Sequence, residues 1–110
     1  MDSEYITAFV TSPGEETSIA IASALVEDGI AACVNIVPGI RSVYRWEGKV
    51  QDDKEELLVI KTRRDLFDAL ATRVKELHPY DVPEVIAMPI IDGSKTYLDW
   101  LADSTSDRLP

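Results

Sequence analysis

Cysteine and histidine are nearly missing from this chain: Cys33 and His78 are the only examples in 110 residues. A single cysteine excludes an intrachain disulfide and a cysteine-rich zinc site within one chain, and it fits a reducing cytoplasm. Basic charge is short as well, with 11 Lys and Arg against 20 Asp and Glu and a net charge of −9. That balance repels nucleic acid and anionic membranes unless a basic patch is concentrated somewhere, and Lys61, Arg63 and Arg64 are flanked by acids. No apolar run approaches the ~20 residues that cross a bilayer. The opening MDSEYITAF has no basic region before an apolar segment, so no secretory signal is expected. There is no phosphate-binding glycine loop, GxGxxG, HExxH or C-x-x-C. Nothing beside Cys33 or His78 resembles a nucleophile motif, so no enzymatic activity is expected.

What is present is a globular composition, 45% apolar, at the length of a single domain spanning 1–110. YITAFVT (Tyr5–Thr11) mixes β-branched and aromatic residues and reads as a strand. SPGE (Ser12–Glu15) has a capping-box spacing, and the helix after it should stop at Gly29 in a positive-φ conformation. Ala31 to Thr62 predicts a long hairpin with a polar outer end. Its Pro38-Gly39 bends the chain, and Glu47-Gly48 turns it. Leu66, Phe67, Leu70, Val74 and Leu77 recur at helical spacing from about Arg64 to His78, where Pro79 ends the run. EVIAMPII (Glu84–Ile91) predicts a fourth strand at an edge, because Pro89 lacks an N–H. A short helix over Lys95–Ala102 and a mobile tail over 103–110 complete the chain. The order β-α-β-β-α-β predicts an α+β fold, a ferredoxin-like antiparallel sandwich with a short C-terminal helix. Two helices cover one sheet face. The other carries bulky residues too, which predicts self-association.

Four segments are similar to the CutA divalent-cation-tolerance family in order and spacing. They are AACVNIVPGIRSVYRWEGKVQ (Ala31–Gln51), ELLVIKT (Glu56–Thr62), LHPYDVPEVIAMPI (Leu77–Ile90) and YLDWL (Tyr97–Leu101). The resemblance implies a tight homotrimer with hairpins pairing between subunits and a shape like that of the PII signalling proteins. It also implies a link to tolerance of copper and other divalent cations. It places Cys33 near an intersubunit cleft. Some relatives carry further cysteines or N-terminal extensions; here Cys33 is the one cysteine in the sequence, and no extension is expected.

Candidate site residues fall into four groups. His78, Asp81 and Glu84 stand at steps of three and could hold a divalent cation such as Cu²⁺ or Zn²⁺. Equally, His78 could serve the carbonyls of a helix C-terminus, with Pro79 and Pro83 stiffening the joint. Cys33 is either a soft copper ligand or a small buried hydrophobe. Tyr44 and Trp46, on one hairpin face, are candidates for the centre of the trimer interface. Lys61, Tyr80 and Trp100 could line a cleft for a small anionic ligand, or Lys61 could make a structural salt bridge. These groups support two function classes. The first is a cytoplasmic, non-catalytic trimer that takes copper, another divalent cation or a small molecule at intersubunit clefts. The second is a PII-like sensor of a small anionic metabolite, with metal binding incidental.

Overall fold

The computed structural model describes residues 4–105. Four antiparallel strands form one sheet: β1 (Tyr5–Ser12), β2 (Cys33–Trp46), β3 (Lys49–Arg63) and β4 (Ile86–Pro89), in the order β2-β3-β1-β4. Helix α1 (Glu15–Glu27) links β1 to β2. A 3-10 turn (Arg64–Leu66) and α2 (Phe67–Leu77) link β3 to β4, and α3 (Lys95–Asp103) comes last. Order and pairing are those of a ferredoxin-like α+β fold, as the segment pattern predicts.

Strand alternation builds the core. Ala8 and Val10 of β1 and Leu58 and Ile60 of β3 point to one face, where Ile21 and Leu25 of α1 and Leu70 and Val74 of α2 cover them without exposure to solvent. Burying one such side chain is worth about 1.5–3 kcal/mol. Gly29 (φ 73°) closes α1, because the amides of Gly29 and Ile30 turn back to the carbonyls of Val26 and Leu25. Ser12 does not cap α1. It ends β1 as a buried residue, its hydroxyl donates to the Gly14 carbonyl, and it pairs with the Ser18 hydroxyl. Its backbone pairs with Glu56 in the ladder.

The hairpin is longer and more regular than its polar run suggests, since β3 extends unbroken from Lys49 to Arg63. Trp46 pairs with Lys49, leaving Glu47 (φ 51°) and Gly48 (φ 79°) as a two-residue turn of the kind that fits strand twist. At Pro38-Gly39 the register shifts: Val37 faces Leu57 and Ile40 faces Glu55, so β2 carries one extra residue, with Gly39 at φ 75°. The phase of β2 therefore inverts. Cys33, Asn35 and Val37 lie on the open sheet face, and beyond the bulge Ile40, Ser42, Tyr44 and Trp46 take over that face.

Two expectations need correction. The fourth strand is only four residues long, because Pro83 and Pro89 lack the N–H groups a longer ladder needs. The second sheet face is also not wholly bare. Helix α3 contacts β3, Tyr97 feels the Cys33 thiol and Lys95 feels the Tyr5 ring, and both partners lie on that face. Of the tail expected to be mobile, Thr105 is buried with its hydroxyl on the carbonyls of Leu101 and Ala102, and residues 106–110 lie outside the described residues.

Candidate functional site

The groove at the outer half of the hairpin begins where β1 runs out. The last β1–β3 pair is Ser12 with Glu56, so Glu55 is the first β3 residue with no β1 neighbour. The 78–84 loop, returning from α2 toward β4, fills that position. Tyr80 donates its hydroxyl to Glu55 Oε2 at 2.9 Å, and Glu55 is only 6% exposed. Across from it, Tyr44 donates to Asp53 Oδ2 at 2.5 Å. Between hairpin and loop lies a groove of about 780 Å³, lined by Tyr44, Trp46, Glu55, Tyr80, Asp81 and Glu84 among others. Desolvation first, and then the bond to Glu55, push the Tyr80 phenol up to about 12. The bond to Asp53 raises the Tyr44 phenol as well. Arg41 also lines the groove, but it is held by Asp52 through two 2.7 Å contacts, each of which strengthens the other's charged form.

His78 anchors the loop. Its Nε2 lies 2.7 Å from the Thr11 carbonyl and its Nδ1 accepts the Tyr80 backbone N–H at 3.1 Å, and the residue is 7% exposed. Both nitrogens are thus occupied. His78, Asp81, Glu84 and Cys33 are not brought together in one protomer: among the described residues no three His, Cys, Asp or Glu side chains gather where they could hold a metal ion. Cys33 sits at the inner end of the open face, opposite Lys61, with Sγ 3.9 Å from Asn35 Oδ1. Lys61 donates to that same Asn35 oxygen, so its strand position is satisfied by an amide and no salt bridge is required. Trp100 lies on α3 against Tyr97, with ring centroids 5.3 Å apart. The cleft expected from Lys61, Tyr80 and Trp100 is therefore divided. Tyr80 belongs to the hairpin groove, and Lys61 pairs with β2 at its inner end.

Glu55 is the functional candidate that sequence reasoning overlooked. It looked like one acid in the polar run KVQDDKEE. Its phase with Leu57 and Val59 could have marked it as a strand residue on the open face.

Residues 6–104 match the protein family described as CutA1 divalent ion tolerance protein. The chain belongs to that family. It is 57% identical over 102 residues to the chloroplastic CutA 1 protein of Oryza sativa, a match that covers 93% of this chain and 58% of the rice protein. It therefore spans little more than half of that relative's length. It is 55% identical over 96 residues to the divalent-cation tolerance protein CutA of Thermus thermophilus, covering 87% of this chain and 93% of the relative. The crystal structure of CutA1 from Oryza sativa superposes with a TM-score of 0.92 at 55% identity, over 96% of this chain and 97% of that one. Among the described residues, no helix of this family member is long and apolar enough to cross a membrane.

Proposed function

We propose that this CutA1 family member is a homotrimeric, non-catalytic protein of divalent-cation tolerance that takes its cation at the hairpin groove, where subunits meet. The observation that carries this reading is the composition of the groove. Three carboxylates (Glu55, Asp81 and Glu84) and two phenols line it, and its one guanidinium is already paired. Oxygen donors of this kind suit hard or borderline divalent cations such as Cu²⁺, and suit Cu⁺ poorly. The same charge disfavours an anionic metabolite, so the PII-like sensor reading draws no support from the groove. No single protomer closes a coordination sphere among its described residues, so a second copy supplies the remaining donors. Exposed apolar side chains support that assembly: Trp46 is 45% exposed, Val50 65% and Met88 58%, the first two close to the hairpin turn. Calorimetric titration with Cu²⁺ is the test. Binding at a stoichiometry set by the trimer is expected, weakened at least about tenfold when Glu84→Gln removes one charged donor. Equal affinity in parent and variant would overturn the site. The single cysteine supports a reducing cytoplasm as the location, although the rice relative is chloroplastic by name; a fluorescent fusion decides between them.

A further inference from the structure

We propose that the outward face of α1 is a docking surface for a basic amphipathic helix of another protein. The two helices that cover the sheet meet solvent differently. Both bury one side in the core, α1 through Ile21 and Leu25 and α2 through Leu70 and Val74. On its outer side α2 exposes Asp68, Thr72, Lys75 and Glu76, polar residues with charges of both signs, as a surface helix does. On its outer side α1 exposes Ile19 at 51% and Val26 at 45%. A helix that is apolar on two sides has one side left to cover.

Ile19 and Val26 stand seven residues apart, so they share one line along the helix, about 10 Å long. Ser23 between them is exposed and small, which lets a second helix pack closely along that line. Anchors at i and i+7 are what one helix offers another.

Charge identifies the occupant. The first 40 residues hold six acids and no Lys, Arg or His; the first base is Arg41. On α1 itself Glu15, Glu16 and Glu27 are exposed around the apolar pair, and none has an ion-pair partner among the described residues. Arg73 of α2 reaches across to α1, but it is held by Asp28 at the helix end and by Glu76, each at 3.2 Å. The face is apolar along its middle and acidic at its edges. A second copy laid on it, α1 against α1, sets acids against acids, and an anionic membrane or a nucleic acid is repelled in the same way. A helix whose apolar line is flanked by Lys or Arg matches both features.

A trimer built through the hairpin and the open sheet face leaves this surface free, because α1 lies on the other side of the sheet. The docking surface does not depend on the groove's taking a cation, so it can fail or hold separately from the proposed function.

The full chain, labelled with ¹⁵N, tests it against a synthetic peptide of about 15 residues with Leu at helical spacing and Lys at the other positions. In an NMR titration the amides of Ile19, Ser23 and Val26 should shift, while those of Ile60 in the core and Trp46 on the hairpin stay in place. Affinity should fall as salt is raised from about 0.15 M to about 1 M. Ile19→Ser combined with Val26→Ser should weaken binding about tenfold or more. Should that variant fail to fold, Glu15→Gln, Glu16→Gln and Glu27→Gln together must lower the affinity about tenfold at low salt. A peptide with Glu in place of every Lys should not bind. Shifts centred on the hairpin groove, equal affinity in parent and variant, or equal binding of the Glu peptide would each overturn the proposal. So would shifts of the same α1 amides on concentrating the chain alone, or on adding phosphatidylserine vesicles, because the face would then belong to a second copy or to a membrane.

Discussion

The two halves of the β2–β3 hairpin use the same backbone ladder and leave their side chains in opposite situations. In the inner half, β3 lies between β2 and β1, and Leu58 and Ile60 vanish under α1 and α2. In the outer half β1 is gone, and Val43, Trp46 and Val50 are exposed beside the solvent-facing Arg41–Asp52 ion pair. The inner half is stabilised by its own protomer. The outer half is ordered by cross-strand pairs and by the 78–84 loop, and its apolar area gains nothing until another surface covers it.

The sharpest way to break this comparison is Leu58→Ala. It should destabilise the fold by about 3 kcal/mol, read as a lowered urea midpoint at unchanged slope, and a loss as small as that of an exposed valine would mean the inner half is not the core. Next comes Trp46→Ala. It should leave the circular dichroism spectrum of the chain intact while weakening self-association about tenfold or more, measured by sedimentation at low concentration; an unchanged profile would make the outer aromatics surface decoration.

Tyr80→Phe tests the link between loop and hairpin. Removing the hydroxyl strands Glu55 and should cost about 1 kcal/mol in denaturant unfolding. The same variant has a pH signature. The Tyr80 phenol sits at about 12 when folded and about 10 when unfolded. Its contribution is therefore complete below about pH 10 and is lost as pH rises through about 12. Parent protein should lose stability across that window, and the phenylalanine variant should lose less. The smallest effect belongs to Arg41→Ala, which opens an exposed pair with Asp52. Thermal unfolding at high salt should not separate it from the parent.

Much of the inner half was legible in the sequence, because its signals are local. Alternation along Tyr5–Thr11 and Glu56–Thr62, the stop at Gly29 and the turn at Glu47-Gly48 each depend on a few neighbouring residues. The outer half was legible as a hairpin only in outline. Whether Glu55 is buried depends on where β1 ends and on a loop far along the chain, and no short pattern records that. His78 and Tyr80 stood out as the stiff rim of a pocket. Their partners, Thr11 and Glu55, did not, since a backbone carbonyl carries no sequence signature and one acid among twenty is unremarked. The residue types at His78, Asp81 and Glu84 suggested ligands, while the backbone carbonyl and amide that meet the two His78 nitrogens left no mark in the sequence.

The extra residue at Pro38-Gly39 works as a phase inverter between two modules. Upstream of it, odd-numbered β2 positions share the face that carries Lys61; downstream, even-numbered ones do, which brings Tyr44 and Trp46 onto the groove side and turns Arg45 away. Deleting one residue there would exchange an aromatic flank for a cationic one along the outer strand without altering a single side chain. A lineage can therefore retune the tip of this hairpin by insertion or deletion at one kink, while the packed base keeps its register.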